Sequence, residues 1–126
     1  MCKFWIYTVN QGVSMEKFAL GILVGGLCGA LIASNNQKMR TLIKKGKGIE
    51  LNTAGFKYGL GHAHPVLPVL KRYKELGGEI ITLGSDGHAP EQIAWDFEKV
   101  PGILKEAGFE YFTVFHNRKS EFIKLR

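Results

Sequence analysis

Cysteine is nearly absent from the 126-residue sequence: Cys2 and Cys28 are the only two, and none follows Gly48. Cys2 lies near the start and Cys28 lies inside an apolar run, so the pair resembles neither a disulfide framework nor a cysteine metal knuckle. A cysteine-free region is compatible with a reducing cytoplasm. The sequence therefore gives no indication of a disulfide-stapled secreted domain.

Acidic residues are scarce in the first third of the chain. Only Glu16 precedes residue 48, against seven Lys and Arg residues, whereas residues 48–126 carry ten basic and ten acidic side chains. The formal net charge of +6 therefore belongs entirely to the first third. Because the remainder is neutral, a basic groove is not indicated there, and the charge distribution argues against nucleic-acid binding.

Charge is missing altogether from residues 18–37. A membrane-spanning helix needs about 20 predominantly apolar residues, so this run is just long enough. Gly21, Gly25 and Gly29 recur every fourth residue and would form a smooth helical stripe for close packing of a second helix. Five Lys and Arg residues follow between 38 and 47, which places that side in the cytoplasm. We therefore predict a membrane span at 18–37 that tethers a cytoplasmic domain.

Two alternatives compete with the membrane span. A secretory signal peptide would need a small-residue cleavage site, which does not follow cleanly. A buried helix of a soluble protein would have to tolerate several glycines, at about 1 kcal/mol each. Residues 15–47 also resemble small single-span bacterial membrane proteins with a Lys-rich tail, and residues 1–14 are an extension of unknown role.

The pattern of apolar and polar residues changes at Gly46–Gly48. After the segments 1–14 and 15–47, the sequence therefore predicts a third segment from 48 to 126. Strands are predicted at 48–53, 79–83 and 111–115, with a further strand at 121–125 after a polar turn. A helix is predicted at 65–76, with Pro65 in the first turn and Gly77-Gly78 as a left-handed stop. A second helix is predicted from Pro90 to Ala107, where Pro101 should kink or split it. Alternating strands and helices indicate a parallel α/β arrangement. These 79 residues are about a third of a complete (β/α) barrel.

The best candidate site is the sequence Ser85-Asp86-Gly87-His88, directly after the most apolar predicted strand. In parallel α/β folds, functional groups gather at the C-terminal ends of strands. Asp86 offers a hard carboxylate oxygen and His88 an imidazole nitrogen, and both are zinc ligands in proteins. The alternative is that Asp86 caps the following helix while His88 is a solvent-exposed loop residue. Spacing alone leaves both interpretations open.

Other polar residues are weaker candidates. Asn52 shares a strand face with Glu50 and could bind substrate, or one of the two could be a buried hydrogen-bonding group. His62 and His64 could form a metal-binding His-x-His pair. They lie in a loop that leads to a predicted helix, however, so His64 is interpreted mainly as a helix-entry residue. His116 follows the third strand and could approach a phosphate or simply make a polar turn.

Three stretches resemble the last three strands of histidinol-phosphatases of the polymerase-and-histidinol-phosphatase (PHP) family. They are GIELNTAG, HPVLPVLKRYKELGGEIITLGSDGHAPEQI and LKEAGFEYFTVFHNRKSEFIKL. The most specific mark is the loop after the penultimate strand, usually Ser-Asp-Ala-His or Ser-Asp-Ser-His; this chain has Gly87 at the variable position. The resemblance implies the C-terminal part of a distorted TIM-like (β/α) barrel, with three or four strands and two helices, preceded by one apolar helix.

The resemblance also implies chemistry. Asp86 and His88 would be ligands of a multinuclear centre of zinc, manganese or iron that activates water to hydrolyse L-histidinol phosphate, a step of histidine biosynthesis. Asn52, His64 and His116 are the candidate substrate-binding residues. The family's opening His-x-His pair and its middle-strand ligands have no counterpart before Gly48, where the apolar basic segment stands instead.

Two ligands cannot hold several metals, so we expect the isolated chain to have negligible activity. A non-catalytic, membrane-tethered interaction fragment is the alternative function. A PHP exonuclease module of a DNA polymerase is disfavoured by the neutral charge of residues 48–126 and by their detailed match to the phosphatase sequence. Exposed edges of an incomplete sheet should promote self-association.

Overall fold

A computed structural model describes residues 27–126. Its first helix, α1 (Leu27–Lys44), continues through the end of the apolar run at Gln37 into the basic segment. None of the helices in the described part of the chain combines the length and the hydropathy that crossing a bilayer requires. Residues 18–26 of the predicted span lie outside the described residues.

The C-terminal half of α1 packs against the rest of the protein. Met39 is only 8% exposed and belongs to the main hydrophobic core, with Ile43 packed against the same core. The Nε of Arg72 donates a hydrogen bond to Oδ1 of Asn36 over 3.0 Å. The basic segment that follows the apolar run is therefore part of a helix docked on the α/β unit.

Two short strands, β1 (Ile49–Asn52) and β2 (Ile81–Gly84), pair in parallel. Ile49, Leu51 and Ile81 are buried, and the nearly continuous apolar sequence of β2 is typical of a parallel strand that is covered on both faces. Two helices lie between them, the short α2 (Ala54–Lys57) and the longer α3 (Leu67–Glu75), and α3 contributes Leu70 and Tyr73 to the same core. The predicted strand–helix–strand unit with parallel pairing is confirmed.

The start of α3 differs from the prediction. Pro68, not Pro65, occupies the first helical turn, so the assignment of Pro65 to that turn was wrong. An isolated antiparallel bridge joins His64 to Asn52, with hydrogen bonds between their backbones of 2.6 and 2.8 Å. This bridge keeps residue 64 extended, and the helix begins only after it. The expected left-handed stop is present at Gly77, with φ of 89°.

The predicted helix from Pro90 to Ala107 is not continuous. Two 3-10 turns, Pro90–Gln92 and Phe97–Lys99, precede a short helix, α4 (Val100–Glu106). Ala94 and Asp96 between them have φ of 57° and 58°, which a right-handed helix cannot accommodate. Pro101 lies in the first turn of α4, so the expected division near this proline is confirmed, but its N-terminal part is not α-helical.

The last two strands, β3 (Tyr111–His116) and β4 (Lys119–Lys124), form an antiparallel hairpin. Asn117 and Arg118, both with positive φ, make its two-residue turn. The four strands match the expected number, yet among the described residues β3 joins no parallel ladder, contrary to prediction. Its link to β2 is through a side chain, since Thr113 Oγ1 accepts a 3.3 Å hydrogen bond from the amide of Ile81.

Candidate active-site loop

The loop Ser85–His88 begins where β2 ends, beside the end of β1. Because the two strands are parallel with Asn52 opposite Gly84, both chains leave the ladder at the same edge. The amide of Thr53 donates to the carbonyl of Gly84 over 2.8 Å and extends the contact one residue further. The structure thus places the predicted loop at the C-terminal edge of the parallel pair, where parallel α/β folds gather functional groups.

Lys57, at the end of the short helix α2 (Ala54–Lys57), holds this loop. Its ammonium group donates to the backbone carbonyl of Asp86 over 2.8 Å, to that of Ser85 over 3.4 Å and to Oε1 of Gln92 over 3.1 Å. An ammonium group has three protons, so these acceptors match its full donor capacity. Lys57 is not recognisable as a site residue from the sequence, because no local pattern links it to loop residues 28 and 29 positions away.

Gln92, in the first 3-10 turn, closes the loop from its far side. Its Oε1 accepts hydrogen bonds from Lys57 and from the amide of His88, the latter over 3.0 Å. Its backbone carbonyl accepts a 2.9 Å hydrogen bond from the hydroxyl of Ser85. The segment 85–88 is therefore fixed by bonds to α2 and to the 3-10 turn.

Asp86 adopts a left-handed conformation, with φ of 48°. Such a conformation is uncommon outside glycine, although Asp tolerates it better than most residues, and strain of this kind often marks functional sites. Within residues 27–126 its carboxylate makes no hydrogen bond or ion pair, and the residue is exposed. The capping alternative does not describe it: Ala89 is the N-cap of the following 3-10 turn, and no side chain caps that turn.

The imidazole of His88 is oriented by the loop itself. Its Nδ1 lies 3.0 Å from the backbone carbonyl oxygen of Asp86. Because a carbonyl oxygen can only accept, Nδ1 carries the proton, and in the neutral ring the lone pair is on Nε2. Histidine ligands of metals typically donate their other ring nitrogen to such an acceptor. The arrangement therefore suits His88 to bind a metal through Nε2.

Gly87 is packed closely against the same turn. A Cβ at this position would lie 3.1 Å from the carbonyl oxygen of Gln92, tighter than an ordinary contact. The alanine or serine usual in the resembled family would press on this carbonyl. Glycine here is consistent with the close approach of the loop to Gln92.

Asn52 is a buried hydrogen-bonding residue. Its Nδ2 donates to Glu50 Oε1 over 3.0 Å, and its Oδ1 accepts from the amide of Ala54 over 2.9 Å. The backbone of Asn52 also forms the bridge to His64. Asn52 thus organises the turn after β1, while its predicted role in substrate binding is not tested by these contacts.

His64 lies at this edge too, half-buried beside His62 with a ring-centroid separation of 5.1 Å. Burial lowers the pKa of His64 below its ordinary value, and the charge of nearby His62 lowers it further. A ring that stays neutral is a better metal ligand than a phosphate-binding cation. His62 turns its Nδ1 to the backbone oxygen of Ala63, 3.0 Å away.

His116 is at the turn end of β3, opposite Lys119, and is exposed. Within residues 27–126 it makes no hydrogen bond to the loop Ser85–His88. The structure therefore gathers Asp86, His88, Asn52 and His64 around the end of the parallel pair, and places His116 on the hairpin.

Asp86 and His88 fit a divalent metal by donor type, because one offers an unpartnered carboxylate and the other an oriented imidazole. They are not sufficient for a closed site. No group of three or more His, Cys, Asp or Glu side chains that could hold an ion occurs within the described part of the chain.

Comparison with known proteins identifies two relatives. The probable histidinol-phosphatase of Thermotoga maritima is 40% identical over 86 residues, which are 68% of this chain and 36% of the relative. The histidinol-phosphatase of Lactococcus lactis is 32% identical over 81 residues, or 64% of this chain and 30% of the relative. The chain contains a histidinol-phosphatase-like region.

The chain spans about a third of the length of these curated relatives. No family model matches it, so membership of the PHP family stays a prediction. The histidinol-phosphatase-like region is compatible with the mixed helix and strand architecture described above. Both relatives are named as phosphatases, which are hydrolases, and the resemblance to an enzyme predicted from the sequence is confirmed at this level.

Proposed function

We propose that residues 48–126 supply part of the active site of a metal-dependent phosphomonoesterase that converts L-histidinol phosphate to histidinol and phosphate. Asp86 and His88 are its metal ligands, and the ion is zinc, manganese or iron. The observation that carries the proposal is the hydrogen bond from His88 Nδ1 to the Asp86 carbonyl, which leaves Nε2 available beside an unpartnered carboxylate. The similarity to two histidinol-phosphatases supports the substrate.

The chain's own residues prepare the loop for this role. Lys57 and Gln92 fix the backbone of 85–88, so the two ligands need little reordering when an ion binds. The Asp86 carbonyl keeps the His88 ring in one tautomer and one orientation. A divalent metal centre would supply water activation and neutralise charge on the phosphoryl oxygens.

The substrate-binding candidates differ in suitability. Both polar atoms of the Asn52 side chain are already engaged, so Asn52 acts by shaping the turn after β1. His64 lies at the same edge and keeps a neutral ring near pH 7, which suits a hydrogen bond to substrate better than an ion pair with phosphate. His116 is exposed and would reach a substrate only from the hairpin.

Two ligands leave the site incomplete, because a catalytic zinc typically has three protein ligands. We therefore expect the purified chain with added zinc or manganese to release no phosphate from histidinol phosphate above an Asp86→Ala control. Robust turnover that disappears in Asp86→Ala would contradict this expectation. A non-catalytic, membrane-tethered interaction fragment at the cytoplasmic face remains the second proposal.

A chimera separates the two proposals. Residues 48–126 would replace the matching segment of the Thermotoga maritima relative, so that the remaining two thirds come from that protein. We expect metal-dependent hydrolysis of L-histidinol phosphate, reduced at least ~100-fold by Asp86→Asn or His88→Gln, since even outer-shell changes cost about 10- to 100-fold. Asp86→Asn is informative because Asn tolerates the left-handed backbone while lacking the charge. A folded chimera without activity would favour the non-catalytic proposal.

A further inference from the structure

The C-terminal half of α1 docks one side onto the core and leaves its cations on the other side. Residues 38–47 include five Lys and Arg residues and no acidic residue, against a net charge of +6 for the whole chain. Met39 of this segment is buried and Ile43 packs against the core. Arg40 and Lys44 are exposed. Docking therefore turns the apolar residues of this segment inward and leaves charged residues in solvent.

Three of these cations, the exposed residues Arg40, Lys44 and Lys45, are here called the basic face. Within residues 27–126 none of the three makes a salt bridge or a side-chain hydrogen bond. The helix dipole favours cations in the last turn, which accounts for Lys44 and Lys45 but not for Arg40. Like charges four residues apart on a helix repel each other, so an anionic partner would relieve the repulsion between Arg40 and Lys44.

The first part of α1 has a different composition. Residues 27–37 are helical and carry no charge, and the uncharged run extends back to residue 18 in the sequence. At a rise of 1.5 Å per residue, the uncharged helical part is about 16 Å long. One helix thus passes from an uncharged part directly into a cationic part. A bilayer has the same order along its normal, with a hydrocarbon region followed by headgroups that are partly anionic.

A nucleic acid is the other polyanion that a basic face could bind. It would contact the cations, but it gives no role to the uncharged part of the same helix. Residues 48–126 have no net charge with which to extend such a contact. A lipid surface uses both parts, because headgroup phosphates attract the cations and a largely apolar sequence suits the acyl region. The distribution of charge along α1 therefore favours lipid.

We propose that the basic face of α1 binds the surface of a bilayer that contains anionic lipid headgroups such as phosphatidylglycerol. The attraction is electrostatic and acts over about one Debye length, about 8 Å at physiological ionic strength. Lipid binding is independent of the proposed phosphatase activity. It deepens the second proposal, that of a membrane-tethered fragment, by naming the surface that α1 contacts.

Co-sedimentation of the full chain with vesicles tests this proposal. Partition is measured at physiological ionic strength onto vesicles of phosphatidylcholine alone and onto vesicles of an equal mixture of phosphatidylcholine and phosphatidylglycerol. The ratio of the two partition coefficients separates the effect of headgroup charge from that of the uncharged residues. Each Lys or Arg near an anionic surface strengthens binding about fivefold, so the triple variant Arg40→Gln/Lys44→Gln/Lys45→Gln should lower the ratio about 100-fold.

The matched control removes the same charge elsewhere. Lys105→Gln/Lys119→Gln/Lys124→Gln changes three exposed residues outside α1 and should change the ratio less than about twofold, because charges beyond a Debye length are screened. Arg40→Lys keeps the charge of the basic face and should leave the ratio unchanged.

Four results would overturn the proposal. Equal partition onto both kinds of vesicle would show that headgroup charge plays no part, and absence of binding to either would show that α1 does not contact lipid. An equal loss in the control triple would assign the effect to net charge. Tighter binding of the basic face to a duplex oligonucleotide than to anionic vesicles would assign it to nucleic acid. Because the chimera described above lacks α1, loss of its activity would bear on the proposed phosphatase function alone.

Discussion

The parallel pair β1–β2 and the hairpin β3–β4 are both short two-stranded sheets, but they have opposite surroundings. Leu51 and Ile81 of the pair are completely buried beneath α3 and the rest of the core. Phe115 and Phe122 of the hairpin leave about half of their surface in solvent. β-branched residues occur in both segments and aromatic residues only in the hairpin, so strand propensity predicts strands in both and does not explain why only the pair is buried.

The comparison shows which of the two sheets is covered by other parts of the described chain. The pair has a helix to cover it and carries the candidate ligand loop at its C-terminal edge. Thr113 of the hairpin and Phe109, which precedes it, are buried. Other hairpin side chains, such as Phe115 and Phe122, are not fully covered by the described residues.

The largest expected effect is on the free energy of unfolding, and it tests the difference in burial between the two sheets. Leu51→Ala removes a side chain with no exposed surface from β1 and should lower the free energy of unfolding by about 3 kcal/mol, because it leaves a cavity in the core. Phe122→Ala in β4 removes a larger side chain that is 47% exposed, and should cost less than about 1 kcal/mol. Urea denaturation followed by circular dichroism compares the two. Equal losses would show that the hairpin is as tightly packed as the pair.

The second effect concerns the loop carried by the pair. In the chimera, Lys57→Met keeps the length of the side chain but removes the donor that holds the carbonyls of Ser85 and Asp86. We expect kcat/KM for histidinol phosphate to fall about 10-fold or more, as for other groups that orient metal ligands. Lys71→Met is the control, since Lys71 makes only an exposed ion pair with Glu106. Unchanged kinetics for Lys57→Met would show that the hydrogen bonds from Lys57 to the loop do not position the metal ligands.

The smallest effect is a dependence of stability on pH at the same edge. The folded protein holds the pKa of His64 below its ordinary value of 6.5, chiefly through burial. The unfolded chain therefore binds a proton at higher pH than the folded chain, so this contribution to stability is full above about pH 6.5 and is lost as the pH falls through the lowered pKa. His64→Gln should flatten the pH profile of the denaturation midpoint between pH 7 and 5. A profile that keeps its slope in His64→Gln would contradict this assignment.

Local sequence patterns predicted much of the fold. The apolar run at 79–83 located β2, and the segment GIELNT was recognised as the strand candidate that forms β1. Gly77 marked the end of α3, and the polar turn at 116–120 indicated a strand paired beside β3. The loop Ser85–His88 was also found at the expected strand end. These features depend on residues close in sequence, where periodicity and turn chemistry are informative.

Features that depend on distant contacts were not predictable in this way. The hydrogen bond from Lys57 to the loop joins residues 29 positions apart. Ala94 and Asp96 interrupt the predicted helix with left-handed backbone conformations, which the sequence does not indicate because neither residue is a glycine. The docking of Met39 in the core was not predicted, because Met39 lies in the basic flank of the predicted membrane span and was not assigned to the α/β unit. Tertiary packing overrides local preference in each case.

The metal content of the chimera tests the central claim most directly. Purified chimera, dialysed against zinc or manganese and then against buffer alone, would be measured by inductively coupled plasma mass spectrometry beside Asp86→Asn and His88→Gln. We predict that each variant loses at least one tightly bound ion per molecule relative to the unsubstituted chimera, because Asp86 and His88 are ligands. Identical metal content in all three proteins would contradict the account.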